Sequence, residues 1–266
     1  MADLKQEDRR AARDVLQVEN VSKSFGGLKA IKSLSFSVRE RSISAIIGPN
    51  GAGKTTVFNL ISGLERVNRG KILFQNERID TLKPHQIPYR RIGRTFQNLR
   101  LFSNMNVMEN VMMGRYTRSS SGFLSCALHG RRFKREEAEI REKARHWLDF
   151  MNLYELRNKK ISSIPFEKQR MVEITRALAS EPDLMLLDEP AAGLNITETK
   201  YLIDAVYRIR ELGMTVLIVE HDMDLIMEIS ENIVVLNFGE KIADGPPQSI
   251  QKDERVIAVY LGKEFA

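Results

Sequence analysis

A chain of 266 residues with 42% hydrophobic and 29% charged side chains has the composition of a globular protein of one large domain or two joined subdomains, which excludes an intrinsically disordered chain. The longest apolar runs, around residues 43–47, 184–187 and 216–219, are far shorter than the roughly 18–20 residues of a membrane-spanning helix. The net charge of +6 is scattered apart from basic groups near residues 90–100 and 131–135, so we expect no nucleic-acid partner.

The first third of the chain alternates short apolar runs with turn residues. β-type runs lie at residues 15–18, 34–38, 42–47 and 71–74, and turn signals separate them at residues 26–27, 76–77 and 83–84. One helix interrupts these strands; it begins in a glycine-rich loop near Gly53 and ends before Gly63. Residues 1–14 are charged and lack the apolar stretch of a signal peptide, so we expect an N-terminal extension there.

The glycine-rich loop matches the phosphate-binding pattern G-x-x-x-x-G-K-[ST] and stands between a strand and a helix. Its glycines let backbone N–H groups approach phosphate oxygens, and the helix N-terminus adds a partial positive charge. We expect Lys54 to neutralise the β- and γ-phosphates of ATP, and the hydroxyl of Thr55 to ligate Mg²⁺. The predicted nucleotide-binding residues of this loop are Gly48, Pro49, Asn50, Gly51, Ala52, Gly53, Lys54, Thr55 and Thr56.

Residues 98–165 have a different, predominantly helical pattern. In the clearest helix, residues 136–151, one face carries an apolar stripe at helical spacing that predicts core packing, formed by Ile140, Ala144, Trp147, Leu148 and Met151. A loop-like SSSG segment lies at residues 119–122. We therefore predict one nucleotide-binding domain over residues 15–262, in which a helical stretch at 98–165 is inserted between 15–97 and 166–262, followed by a tail at 263–266.

From residue 165 onward, helical stretches alternate with buried strands. A helix follows Pro165, the apolar run at 184–187 is typical of a strand, another helix precedes Gly213, and the run at 216–219 is a second strand. Such alternation predicts parallel strands with helices against both faces. The predicted fold class is therefore α/β, and the long helical stretch is an insertion into its core.

Residues that suit phosphate hydrolysis lie at the predicted carboxyl ends of these strands. Asp188 follows the run LMLL, where a hard carboxylate can hold Mg²⁺ directly or through water, and Glu189 is the candidate general base for the attacking water. His221 follows the next strand, at the edge where open α/β sheets bind ligands, and it can contact the γ-phosphate. A histidine that only caps its strand is the alternative.

Two further side chains are candidates for the same site. Gln97, in RTFQNLRLF at the junction with the helical stretch, can ligate Mg²⁺ or water through its side-chain oxygen; a plain loop glutamine is the alternative. Phe25, in SKSFGG, offers a π-face on which adenine can stack. Taken alone, Phe25 is explained equally well by core packing.

The order of these motifs resembles the nucleotide-binding domain of ABC transporters from about residue 16 to residue 262. An aromatic residue, Walker A, the Q-loop glutamine, a signature region, Walker B, the D-loop AAGLN and the H-loop histidine follow one another. Within that family, IGRTFQNLRLFSNMNVMENV, the lengthened basic helical segment after it and LLDEPAAGLN resemble the G-type ATPase of branched-chain amino-acid importers. The resemblance implies a RecA-like P-loop core, an antiparallel β subdomain, an inserted helical subdomain, and ATP and Mg²⁺ as cofactors.

The resemblance also implies an activity and partners. ATP hydrolysis would be coupled to transport, with each ATP between the Walker A of one subunit and the signature of another, so a second ABC ATPase is expected in a heterodimer or a homodimer. The helical subdomain and the Q-loop would dock on transmembrane permease subunits. This places the chain peripherally at the cytoplasmic face of the inner membrane, with a periplasmic or extracellular binding protein acting indirectly.

The signature region departs from the family pattern. Similar ATPases carry LSYGQ or LSGGQ, whereas IPFEK stands here, so Pro165 and Glu167 replace the serine and the glycine that approach the partner's γ-phosphate. Proline has no N–H or O–H with which to donate a hydrogen bond. The carboxylate of Glu167 would repel phosphate, since two like unit charges ~6 Å apart in an effective dielectric of ~20 repel by about 3 kcal/mol. We expect an asymmetric heterodimer in which this chain's Walker A site hydrolyses ATP. The alternative is a loop that tolerates substitution, with both sites turning over.

The cargo is not encoded in an ATPase that never touches it. The amino-acid assignment rests on the resemblance alone, and a urea or amide importer, or a lipopolysaccharide-type exporter, stays open. A soluble ABC ATPase acting on DNA or ribosomes is disfavoured, because the sequence has neither tandem ATPase domains nor a coiled-coil insertion. A nucleotide-binding scaffold without hydrolysis is opposed by the presence of Lys54, Asp188, Glu189 and His221.

Overall fold

The strands form two β-sheets in the computed structural model, which describes residues 13–116 and 131–261. In chain order they are β1 (Asp14–Phe25), β2 (Leu28–Arg39), β3 (Ile43–Ile47), β4 (Arg69–Phe74), β5 (Glu77–Arg78), β6 (Ile92–Arg94), β7 (Leu184–Asp188), β8 (Thr215–Val219), β9 (Asn232–Asn237) and β10 (Glu240–Gly245). An antiparallel sheet has the order β2-β1-β4-β5, and a larger sheet has the order β10-β9-β3-β8-β7-β6. In the larger sheet the neighbours from β6 to β9 are parallel and β10 is antiparallel, which confirms the α/β class.

The α-helices of the described residues lie between and after these strands along the chain. In chain order they are α1 (Lys54–Ile61), α2 (Val107–Arg115), α3 (Arg131–Phe150), α4 (Phe166–Leu178), α5 (Ile196–Glu211), α6 (Met223–Ile229), α7 (Pro247–Ile250) and α8 (Glu254–Leu261). Asn106 and Asn195 begin α2 and α5 with capping boxes, since each side chain accepts the N–H of a glutamate three residues later. Within residues 13–116 and 131–261, we find no helix with both the length and the apolar character that crossing a membrane requires.

The central strands are buried on both faces because their side chains enter two different cores. Met185 and Leu187 of β7 pack with apolar residues of α2, α3, α4 and α5. Leu184 and Leu186 point the other way, toward α1 and the antiparallel sheet. This double burial explains why β7 reads in the sequence as an unbroken apolar run.

The elements expected from the sequence are present, with differences at their ends. β1 and β2 extend well beyond the predicted runs at 15–18 and 34–38. The sequence gives no continuous apolar run over their full length, because buried residues alternate with more exposed ones and register shifts interrupt the pairing. The turn predicted at 76–77 is wrong by one residue: Gln75 and Asn76 have positive φ, and Glu77 already begins β5. The predicted stripe on α3 is confirmed as core, with Met151 just beyond the helix end.

Parts of the domain prediction lie outside the described residues. These parts are residues 1–12 of the extension, the SSSG segment at 119–122 and the tail at 263–266. The boundaries at 97/98 and 165/166 stay predictions. In the structure β6 ends at Arg94 and α4 begins at Phe166.

Candidate functional site

The carboxyl ends of neighbouring parallel strands bring the predicted site residues to one edge of the larger sheet. Val219, the last residue of β8, is level with Ile46 of β3 on one side and with Asp188 of β7 on the other. The phosphate loop, Glu189 and His221 therefore leave the sheet side by side. This is the edge at which open α/β sheets bind ligands.

At two positions of the phosphate loop, neighbouring atoms leave no room for a Cβ atom. Gly48 has a φ of 151°, and a Cβ there would lie 2.1 Å from the carbonyl oxygen of Leu236. Gly53 has a φ of 104°, and a Cβ there would lie 2.9 Å from the carbonyl oxygen of Ala30. The backbone between β3 and α1 is therefore packed closely against its surroundings, which fixes the path of its N–H groups.

Lys54, the first residue of α1, is only 4% exposed. Its Nζ donates to the carbonyl oxygens of Gly48 at 2.7 Å and Pro49 at 3.1 Å. A buried ammonium in a loop at a helix N-terminus favours an anionic ligand, because both the charge and the helix dipole are positive there. The loop is therefore suited to phosphate.

A cleft of about 900 Å³ lies over this loop, a volume typical of a small-molecule site. The predicted site residues that line it are Phe25, Asn50, Gly51, Ala52, Gly53, Lys54, Thr55, Thr56, Gln97, Glu189 and His221. Gly48, Pro49 and Asp188 are not in the cleft wall. Phe25 is half exposed there, with the Nζ of Lys23 4.7 Å from its ring centre, so the core-packing alternative for this ring is wrong.

Glu189 is held between two other candidates in a hydrogen-bonded cluster. Its Oε2 accepts from the Nε2 of Gln97 at 2.8 Å, and its Oε1 lies 2.6 Å from the Nε2 of His221. Its own N–H donates to the carbonyl of Val219, and its φ of 47° is uncommon for a residue with a side chain. The strained backbone turns the carboxylate away from the strand and into the cleft.

Asp188 is buried in an ion pair. Its Oδ2 accepts from Arg94 at 2.9 Å, and Arg94 also donates to the hydroxyl of Ser62, just after α1. Burial raises the pKa of Asp188, and Arg94 opposes that rise. Within the described residues the other oxygen, Oδ1, is buried without a hydrogen-bond partner. Carboxylate oxygens are ligands that Mg²⁺ prefers, and this one is not used in a hydrogen bond, so Asp188 fits the metal role predicted for it.

Three functional candidates escaped the sequence reasoning. Glu220 is buried, and its carboxylate accepts from the N–H groups of Ala191 at 2.6 Å and His221 at 3.0 Å, so it fixes the loops after β7 and β8. Burial raises its pKa. Phe238, in the turn between β9 and β10, lines the cleft with an exposed ring. The third candidate is Arg94, which the sequence shows only as one of several basic residues. The available signal for Glu220 was its place directly before His221, and for Phe238 it was an aromatic side chain in a turn.

The basic group near residues 90–100 is dispersed into contacts within the chain. Arg90 pairs with Glu77, and Arg91 pairs with Asp183 at 2.7 Å. The guanidinium of Arg100 lies 4.3 Å from the ring centre of a phenylalanine. These arginines therefore do not form a single free cationic patch.

The altered signature stretch forms the start of α4. Pro165 precedes the helix without a side-chain capping bond, and Glu167 lies in the first turn. The ring of Phe166 is 46% exposed and lies against Gly193, where a Cβ would meet it at 3.1 Å. The signature stretch and the D-loop thus touch within this chain.

Most of these features lie in a stretch of the chain that matches a known family. The family described as ABC transporter matches residues 31–192, more than half of the chain. This chain belongs to the ABC transporter family. A second family, described as branched-chain amino acid ATP-binding cassette transporter, matches residues 240–266.

Individual relatives agree with this assignment. The high-affinity branched-chain amino acid transport ATP-binding protein BraF of Pseudomonas aeruginosa is 41% identical over 253 residues, which are 95% of this chain and 99% of the relative. LivG of Escherichia coli K12 is 38% identical over the same shares of each chain. A solved ATP-binding cassette of an ABC transporter, in its ADP conformation, has a TM-score of 0.82 at 31% identity and covers 94% of this chain and 99% of that one. The chain is therefore an ABC ATPase, and the resemblance seen in its motifs is confirmed.

Proposed function

We propose that this ABC ATPase powers an importer of branched-chain amino acids as a peripheral subunit at the cytoplasmic face of the inner membrane. Its partners would be transmembrane permease subunits, a second ABC ATPase and, indirectly, a periplasmic binding protein. The observation that carries the hydrolytic role is Glu189, held by Gln97 and His221 beside the loop of Lys54. The cargo class is supported by the names of BraF and LivG, both of which serve branched-chain amino acid transport.

The cleft suggests how the nucleotide is held. Adenine would stack on Phe25, and the phosphates would be bound by the N–H groups of residues 48–56 and by Lys54. Thr55, Gln97 and Asp188 would hold Mg²⁺, which would supply positive charge to offset the negative charge of the phosphates. No other role is required of the metal in this proposal.

The carboxylate of Glu189 is the proposed proton acceptor. Gln97 donates to one oxygen of this carboxylate and His221 lies 2.6 Å from the other, so the two side chains orient the group toward the cleft. The water attacks the γ-phosphorus, the bond to the β-phosphate oxygen breaks, and ADP and phosphate leave. His221, whose side chain is 43% exposed and lines the cleft, would contact the γ-phosphate.

We further propose that the two composite sites of the dimer are unequal. At the start of α4, where an intact signature would turn its helix N-terminus toward the partner's phosphate, this chain has Glu167 in the first turn. That carboxylate neutralises the positive end of its own helix dipole and repels phosphate. A heterodimer would then place a partner's intact signature against this chain's phosphate loop, and the reciprocal site would be the weak one.

Glu189→Gln in this chain alone tests both proposals in the assembled transporter. We expect most ATP hydrolysis and transport to be lost, because the amide cannot accept the proton. Glu211→Gln, an exposed glutamate at the end of α5, is the matched control and should leave turnover unchanged. Substantial hydrolysis and transport with Glu189→Gln would mean that this chain's own site is not the main one.

The cargo is tested separately, by identifying the proteins that co-purify with this chain from a membrane extract and by measuring uptake with the purified complex in vesicles. We expect two permeases, a second ATPase and a binding protein, with ATP-dependent uptake of leucine, isoleucine or valine. Uptake of urea or an amide in their place, or outward transport of a glycolipid, would contradict the cargo assignment. Such a result would leave the ATPase assignment intact.

A further inference from the structure

Two buried ionic side chains of α4 contact the backbone of the Q-loop, residues 96–100. The guanidinium of Arg170, only 2% exposed, donates to the carbonyl oxygens of Phe96 and Gln97, both at 3.0 Å. The carboxylate of Glu173, fully buried, accepts the N–H of Arg100 at 3.2 Å and pairs with Arg170 at 3.2 Å. Helix α4 thus holds the Q-loop backbone at both of its ends.

A third side chain strengthens the same attachment. Arg176, one turn further along α4, donates to the carbonyl oxygen of Arg100 and lies 3.8 Å from Glu173. Buried ion pairs add little stability compared with apolar residues of the same volume, because desolvation offsets their attraction. What such a pair does provide is a defined geometry, since each donor and acceptor must meet its partner.

Gln97, whose backbone is held in this way, also contacts Glu189 through its side chain. Arg170 contacts the carbonyl of Gln97, while the side chain of Gln97 donates to Glu189 at 2.8 Å. A shift of the Q-loop backbone therefore moves the amide of Gln97 relative to the carboxylate. At its other end, α4 begins with Phe166 against Gly193 of the D-loop.

We propose that Arg170 is a positioning residue whose forked guanidinium sets the Q-loop backbone so that Gln97 meets Glu189. This inference rests on the proposed hydrolytic role of Glu189 and deepens it. Helix α4 then serves the nucleotide site of its own chain, although the stretch before it has lost the serine and glycine of the family pattern. Lysine is a poor replacement for Arg170, because Arg170 uses two separate nitrogens of a rigid planar group for the two carbonyl oxygens, whereas lysine offers one nitrogen on a flexible chain.

Arg170→Lys in the assembled transporter is the direct test. We expect kcat for ATP hydrolysis to fall about 10-fold, because a small misplacement of a group that supports the base slows the chemical step. KM for ATP should stay within about twofold, since the phosphate loop is untouched. Arg145→Lys is the matched control: Arg145 also pairs with a glutamate three residues away, Glu142, but on the exposed face of α3. It should change neither constant.

A double-mutant cycle with Gln97→Ala separates positioning from a general structural role. If Arg170 acts through Gln97, adding Arg170→Lys to Gln97→Ala lowers kcat no further. A second, multiplicative loss in the double variant would overturn the proposal. Thermal unfolding of each variant accompanies the kinetics, and if Arg170→Lys does not fold, Glu173→Gln replaces it in the same cycle, with a smaller fall in kcat expected.

Amide hydrogen exchange over residues 96–101 gives a readout that does not depend on turnover. We expect faster exchange of the Arg100 amide in the isolated chain with Arg170→Lys and no change with Arg145→Lys. Unchanged exchange together with unchanged kcat in a folded variant would overturn the proposal. If Glu189→Gln retains hydrolysis while exchange responds as expected, the hydrolytic role proposed for Glu189 fails and the attachment of α4 to the Q-loop stands.

Discussion

The starts of α1 and α4 are two helix N-termini with opposite chemistry. Lys54 opens α1 after a loop packed so tightly that a Cβ at Gly48 has no room. Pro165 and Glu167 open α4 at positions where the family pattern has small residues, and Pro165 is exposed. The positive end of the helix dipole is available to an anion at α1 and is neutralised by the chain's own acid at α4. The comparison teaches that the first turn of a helix decides whether its dipole serves a ligand.

The largest expected effect tests the α1 side of this comparison. Lys54→Ala should weaken ATP binding to the isolated, folded chain by about 100-fold, because a charged hydrogen-bond donor to phosphate is lost. Titration with a fluorescent ATP analogue measures the affinity. Lys168→Ala, at the start of α4, is the control and should bind as the unchanged chain does. Equal affinity after Lys54→Ala would place the nucleotide elsewhere.

The next effect concerns the close packing of the phosphate loop. Gly48→Ala should lower the free energy of unfolding by about 2 kcal/mol, because the Cβ would lie 2.1 Å from a carbonyl oxygen and the backbone must move. Gly51→Ala is the matched control: Gly51 also has positive φ, at 80°, but nothing lies within 4 Å of its Cβ position. Urea unfolding should show the larger loss for Gly48→Ala. Equal losses would mean that φ alone, and not packing, requires these glycines.

A smaller effect is expected from restoring the α4 side. The background for this test is a transporter in which Glu189→Gln has inactivated the ATP site of this chain. There, the double substitution Pro165→Ser with Glu167→Gly should raise the residual ATP turnover about fivefold, because a negative charge that repels phosphate is removed. Pro165→Ser with Glu167→Asp keeps the charge and should leave turnover unchanged. A rise in both variants, or in neither, would contradict the charge-based account of the asymmetry.

The smallest expected effect lies behind the phosphate loop, at the C-terminal helix α8. Burial raises the pKa of Tyr260 to about 12, opposed by a backbone hydrogen bond from Gly48. Tyr260→Phe should lower the free energy of unfolding by about 1 kcal/mol, since one partner of a protected hydrogen bond is lost. Tyr201→Phe, an exposed tyrosine on α5, should be neutral. No difference between these two variants in urea unfolding would show that α8 does not support the loop.

Local signals predicted much of the fold and of the candidate site. The phosphate loop was found because its glycines and Lys54 are adjacent in sequence, and β7 and β8 because strands buried on both faces are unbroken apolar runs. The strands β5, β6, β9 and β10 were missed, although β9 contains an apolar run at 233–236 that is typical of a buried strand. β6 has only three residues, and β10 mixes exposed with buried positions, so neither leaves a clear local pattern.

By itself the sequence determined the kind of chemistry, since a phosphate loop and acids at strand ends are contiguous patterns with a local cause. Only the tertiary structure decided which charges meet. In the sequence Arg94 is one member of a basic group, but in the structure it pairs with Asp188, 94 residues further along the chain. Arg170, on helix α4, likewise donates to the backbone of Gln97. The physical reason is that strand order and helix docking set these distances, and neither is written in the residues next to a side chain.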